Sequence, residues 1–393
     1  MGQQINLRVF RDFFNSSNAG GMLLFMCVII SLILANSPYA LALQHLLETQ
    51  FGFENSTLHL NYAVLLWIND GLMAIFFLLV GLEIKREVVE GELSSPKKAS
   101  LPVLCAVGGA IVPAIIYLGI NAGKETAGGW GIPMATDIAF ALAVIGLLGN
   151  RIPASLKIFL AALAIVDDLI AILVIAFFYS SGIHGMYLLY AAIGVLILIA
   201  MNRFGVRNPY LYLLPGVFIW YYIHHSGIHA TIAGVLVAMT IPTNKTAVES
   251  PLERLEHALT KPVNFFIIPL FAFANTNITL TSEMFAGLTS PLGLGVGLGL
   301  LLGKPIGILI TSFVCTKAKL SALPAGSSWS HIAGVGLLAG IGFTMSIFIA
   351  ILSFNDAYHI AEAKLAILIT SLLAGIAGYL LLRKVGSDAK VGG

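Results

Sequence analysis

This sequence is poor in charge. Only 10% of its 393 residues are Asp, Glu, Lys or Arg, against about 25% in an ordinary soluble domain. A chain that is 58% hydrophobic cannot cover itself with polar side chains, which excludes a soluble globular fold. Cysteine is scarce as well. Cys27, Cys105 and Cys315 each lie in or at the end of an apolar segment without C-x-x-C pairing, a pattern of packing rather than of redox or metal chemistry. No cleavable leader is expected, because Arg8, Arg11 and Asp12 precede the first apolar run with no small-residue cleavage site behind it. Neither a cofactor nor a nucleic-acid partner is expected.

What the chain has instead is one apolar run after another, each of roughly 20 residues and separated by short polar links. Twelve spans are predicted, at 20–36, 64–84, 100–119, 129–148, 155–178, 186–202, 209–224, 227–242, 262–275, 294–315, 331–354 and 361–382. The fold class is an all-α polytopic membrane protein, a single transmembrane domain over 1–393 with the lipid bilayer as its solvent. With both termini cytoplasmic, 18 of the 21 Lys and Arg fall on inside links. Lys124 and Lys364 alone lie outside, and Lys304 lies within a span. That asymmetry sets the orientation. The link 44–62 reads FGFENSTLHL at its centre, alternating apolar and polar residues as an outer β-hairpin would, and it is a candidate dimer contact.

Two spans are interrupted. Span four, GGWGIPMATDIAFALAVIGLL, carries Pro133 and Thr136-Asp137 in its middle; span eleven, GVGLLAGIGFTMSIFIAIL, carries Gly340, Gly342, Thr344 and Ser346. Non-helical backbone at mid-depth must face protein or a water-filled cavity, since lipid cannot satisfy it. Spans three to five and ten to twelve (about 100–178 and 294–382) run in opposite directions, each with its broken helix in the middle. Matched interruptions in two inverted repeats point to a transporter's binding site at the membrane midplane.

Asp70, Glu83, Asp137, Asp167, Asp168 and Lys304 all fall inside predicted spans. A charge at the bilayer centre costs at least about 2.5–3.5 kcal/mol on insertion scales, so each needs a reason. Asp70, near an outer span end, is either a solvated helix-end residue or part of an ion path. Asp167 and Asp168 are adjacent in LAIVDDLIAIL, and neighbouring helical positions point about 100° apart. If one carboxylate pairs with Lys304, the other faces a different surface and needs a cation or a proton. Oxygen ligands suit a hard cation such as Na⁺ or Li⁺, with the Thr136 hydroxyl and freed carbonyls available to complete its shell. Asp137 is placed to neutralise the N-terminal ends of the broken helices and Lys304 the C-terminal ends. An intramembrane aspartyl protease is disfavoured, because its two acids come from different helices and its G-x-G-D-like motif is missing. Another proton-coupled solute carrier remains open on these residues alone.

WIND-GLMAIFFLLVGLEIKRE (67–87), ATDIAFAL (135–142), LKIFLAALAIVDDL (156–169), SGIHATIAG (226–234), RLEH (254–257), IIPLFAFAN (267–275), GKPIGI (303–308) and GIGFTMSIFIA (340–350) closely resemble NhaA-type bacterial sodium/proton antiporters. The resemblance implies a twelve-span transporter of the bacterial inner membrane, not an enzyme. Such a protein expels Na⁺ or Li⁺ for a larger number of protons by alternating access, electrogenically, and is active at alkaline pH in sodium and pH homeostasis. It implies that Asp167 and Asp168 form the cation and proton site, with Thr136 and Asp137 at the helix crossing and Lys304 beside the acids. Glu83, Arg86, Glu87, Glu256 and His257 match a cytoplasmic cluster tied to pH activation, and His229 a histidine of the pH response. A homodimer with an outer hairpin is implied too.

Overall fold

A computed structural model of the chain describes residues 19–55, 59–180, 182–244 and 249–391; Arg8, Arg11, Lys245 and the hairpin tip 56–58 lie outside the described residues. Helix dominates. In order the elements are α1 (Ala19–Ala35), α2 (Ala40–Glu48), β1 (Gln50–Glu54), β2 (His59–Ala63), α3 (Val64–Val89) and α4 (Pro96–Asn121). A 3₁₀ segment (Glu125–Met134) leads to α5 (Ile138–Gly146), then α6 (Ala154–Phe178), α7 (Gly185–Arg203), α8 (Tyr210–His224) and α9 (Ile232–Thr240). The chain closes with α10 (Pro251–Asn275), α11 (Ser282–Gly287), α12 (Pro291–Lys317), α13 (Trp329–Ala339), α14 (Phe343–Ser353) and α15 (Ala357–Val391).

Seven of these, α3, α4, α6, α7, α10, α12 and α15, are long and apolar enough to cross a membrane. Three further pairs meet that standard only together: α1 with α2, bent by 112°, the 3₁₀ segment with α5, bent by 42°, and α13 with α14, bent by 46°. The helix starts follow local chemistry. The Ser95 side chain accepts from Lys98 N with Pro96 at the first helical position, and Ser250 and Glu253 form a capping box ahead of α10; both satisfy amide groups that a helix cannot satisfy itself. Helix α3 runs to Val89, beyond the expected 84, because LEIKRE continues the helix with good helix formers. Helix α9 spans only 232–240 of the expected 227–242, since the turn at Gly227, at φ +85°, delays it.

β1 and β2 pair antiparallel, with Gln50 opposite Ala63 and Glu54 opposite His59. Phe51 and Phe53 stand exposed on this hairpin. The core is apolar and shared by the helices around α6 and the three bent pairs, and includes Leu163, Ala135, Ile341, Phe348 and Leu300. Helix α12 lies hard against α4: a Cβ on Gly307 would collide with the Gly108 carbonyl. That close approach carries Lys304, next to a π-turn at Gly299–Gly303, into the protein interior rather than to its surface.

Candidate functional site

The four facing ends of two of the bent pairs, the 3₁₀ segment with α5 and α13 with α14, meet at one place. Between them lie Ala135–Asp137 and Gly340–Gly342, and the two strips are tied together. Asp137 N–H donates to Ile341 O at 2.6 Å, and the Thr136 hydroxyl donates to Ala339 O at 2.7 Å. Each strip supplies partners that the other's interrupted helix has lost, so backbone without a helical ladder can persist among apolar side chains.

Asp137 sits where positive helix ends converge. Its Oδ1 accepts from Phe140 N at 2.9 Å, capping α5, and its Oδ2 accepts from Thr344 N at 3.1 Å and Thr344 Oγ1 at 2.5 Å at the start of α14. One carboxylate thus serves two N-termini. Lys304 does the opposite work: its ammonium donates to Met134 O, at the C-terminal end of the 3₁₀ segment, and to Asp167 Oδ2 at 2.5 Å. Thr136 lies beside the Asp167 carboxylate. Thr136, Asp137, Asp167, Asp168 and Lys304 are all 0–2% exposed.

The neighbouring acids divide as helical geometry requires. Asp167 takes the direct contact with Lys304, while Asp168 makes none and feels Asp167, Glu83 and Asp137 as nearby acids with Lys304 as the opposing charge. Asp167 Oδ1 and Asp168 Oδ1 are buried and accept no hydrogen bond from the described residues. A buried oxygen left without a donor is costly, and two adjacent carboxylates here share a single ammonium. This donor set, made of oxygen atoms with an excess of negative charge, fits a hard monovalent cation or protons. Asp167 and Asp168, with Thr136 beside Asp167, are the groups that could hold such a cargo ion.

The residues expected to answer pH fall in two places. Glu83, Arg86, Glu87 and Glu256 come together where α3 ends against α10. Arg86 Nε contacts Glu256 Oε1 at 3.1 Å and Oε2 at 3.0 Å, and its Nη1 contacts Glu87 Oε1 at 2.9 Å. His257 belongs to the same turn of α10 but points outward, pairing with the exposed Glu249 at 2.9 Å. His229 is elsewhere, 3.8 Å from Asp70 and beside the Phe348 ring. Asp70 also meets His224 at 3.0 Å, so it is paired within the protein. The His224 partnership is not legible in the sequence, because α3 and α8 are joined only by tertiary packing.

A family model described as Na+/H+ antiporter 1 matches residues 11–382. The chain is 61% identical over 383 residues to Na(+)/H(+) antiporter NhaA 2 of Flavobacterium johnsoniae, covering 97% of this chain and 94% of that protein. It is 49% identical over 381 residues to Na(+)/H(+) antiporter NhaA of Shewanella amazonensis, covering 96% of this chain and 97% of that one. A third relative, the Na(+)/H(+) antiporter NhaA of Flavobacterium psychrophilum, is 50% identical over 378 residues, with 96% of each chain covered.

Proposed function

We propose that this chain, which belongs to the Na⁺/H⁺ antiporter 1 family, exports Na⁺ or Li⁺ in exchange for a larger number of protons by alternating access. The observation that carries the reading is the Asp167–Asp168 pair: two adjacent carboxylates, 1% exposed, each with an oxygen that the described residues leave unsatisfied, at the meeting point of two broken helices. A cation and a proton compete for such a site, because each removes the same uncompensated charge. Asp168 is the main cation ligand, with the Thr136 hydroxyl beside the neighbouring Asp167. Asp167 exchanges Lys304 for cargo or proton, and Asp137 with Lys304 compensates the facing helix ends. Carrying one Na⁺ against more than one proton moves net charge, so the exchange is electrogenic.

In this reading the chain spans the bacterial inner membrane twelve times with both termini in the cytoplasm, and acts as a homodimer through the 44–62 hairpin. The Glu83, Arg86, Glu87 and Glu256 cluster, with His257 on the same turn and His229 beside Asp70, sets activation at alkaline pH. Everted vesicles loaded with a ΔpH-sensitive dye supply the test. Adding Na⁺ or Li⁺ at alkaline pH is expected to dequench the dye, and adding K⁺ to leave it unchanged. Silence toward Na⁺ would overturn the reading. Asp168→Asn should insert normally and lose the response; exchange preserved in that variant removes Asp168 from the site.

A further inference from the structure

The 3₁₀ segment is ten residues long, whereas such helices seldom run beyond about 3–4 residues because their hydrogen bonds are poorly aligned. Side chains from four other helices hold it. Tyr117 of α4 donates to Thr126 O at 2.7 Å, Ser346 of α14 donates to Ile132 O at 2.7 Å, and Lys304 of α12 donates to Met134 O. The fourth is Tyr179, the residue that ends α6, the aspartate helix. Its hydroxyl accepts from Gly131 N–H at 3.1 Å and donates to Gly128 O at 2.9 Å.

Those two groups are special. In a 3₁₀ helix the N–H of one residue bonds the carbonyl three residues earlier, so Gly131 N–H and Gly128 O are the two ends of a single rung. The phenol oxygen bridges them from outside. The local sequence GGWG makes room for it: a Cβ on Gly131 would come within 2.7 Å of the Tyr179 oxygen. Trp130 then stacks on the Tyr179 ring at 6.3 Å and meets Phe178 edge-on at 5.0 Å. No other contact on the segment combines an accepted and a donated bond among the described residues.

We propose that Tyr179 is a positioning residue for exchange: by bridging one rung of the 3₁₀ segment it makes that segment and the aspartate helix respond as one unit. The inference rests on the antiport reading and adds the part that carries motion from Asp168 to the broken helix. The other three tethers reach the segment from helices that carry neither aspartate. Lys304 bridges Met134 O to Asp167 and Phe178 packs on Trp130, but among the described residues Tyr179 is the one side chain at the end of α6 that hydrogen-bonds the segment's backbone directly, about three turns beyond Asp168 along the same rigid rod.

Tyr179→Phe keeps the ring against Trp130 and deletes both hydrogen bonds. Reconstituted into proteoliposomes, it is expected to lower the maximal Na⁺-driven exchange rate, normalised to the folded protein recovered from the liposomes, about tenfold while the KM for Na⁺ stays within about twofold. Hydrogen–deuterium exchange supplies the second readout. Na⁺ should alter exchange across 125–134 in the parent protein and lose that effect in Tyr179→Phe, while still altering exchange around 163–170. Gly131→Ala, which intrudes on the hydroxyl from the segment's side, should reproduce the phenotype. A variant that keeps the parental maximal rate, or keeps the Na⁺ effect over 125–134, overturns the proposal and leaves the antiport reading intact. A parent protein with no Na⁺-driven exchange overturns both.

Discussion

At the scale of single residues the centre is governed by uncompensated charge. The Lys304–Asp167 contact is 2.5 Å long with both side chains at most 1% exposed. Breaking a buried ion pair on one side leaves a charge without a partner and costs about 3–5 kcal/mol, whereas replacing both partners by apolar groups is often neutral. Lys304→Met is therefore expected to lower the thermal midpoint of the detergent-purified protein markedly. Lys304→Met combined with Asp167→Leu should recover much of that loss while remaining inactive in exchange. A single variant that melts with the parent would show that the pair does not hold the crossing together. Asp137 follows a different logic. Its stabilisation comes from two helix N-termini and the Thr344 hydroxyl, and charge-assisted hydrogen bonds contribute about 1.5–3 kcal/mol each.

At the scale of elements, α3 and α10 are joined at one end by a forked contact. Arg86 reaches both oxygens of Glu256 while also holding Glu87, and Glu83 lies on the same end of α3 within electrostatic reach of Asp168. Three carboxylates share one guanidinium there, and planar two-point contact of this kind is not reproduced by a lysine. Removing the guanidinium favours the protonated form of the cluster. Arg86→Gln is expected to move the activation profile of exchange toward more alkaline pH, by about one pH unit if about 1.4 kcal/mol of differential interaction is lost. Initial rates measured across pH 6 to 9 decide the matter; a profile superimposable on the parent's would remove Arg86 from pH activation. By contrast, His257 faces outward toward the exposed Glu249, and His257→Ala should shift the profile little.

At the scale of the whole molecule, exchange of one cation against more than one proton couples transport to the membrane potential, at about 2.3 kcal/mol per charge per 100 mV. Imposing an inside-negative potential with valinomycin and a K⁺ gradient should accelerate Na⁺ efflux from proteoliposomes. An efflux rate indifferent to the potential would mean that charges balance and that electroneutral exchange must replace the proposed stoichiometry. The hairpin acts at this scale as well. Phe51 and Phe53 are 69% and 82% exposed on it, and its inner edge is anchored to its own chain, where Trp67 Nε1 donates to Phe51 O at 2.8 Å.

Much of this protein is written in its one-dimensional pattern. Apolar runs dictate helices, because only an internally hydrogen-bonded backbone survives without water. Pro133, Gly340 and Gly342 mark where helices stop, and two adjacent acids in an apolar run announce a site. The partners are another matter. That Thr344 answers Asp137, that Met134 O answers Lys304, that His224 answers Asp70 and that Tyr179 bridges a backbone rung are facts about groups between 48 and 207 positions apart in sequence. No local preference encodes them. They exist because glycines let α4 and α12 close to contact and because two broken helices must satisfy each other's backbone. The order of residues is enough to dictate a helical class and to put acids and a lysine inside apolar spans; which group neutralises which follows from packing, since buried electrostatics depends on distances of a few ångströms that no local pattern specifies.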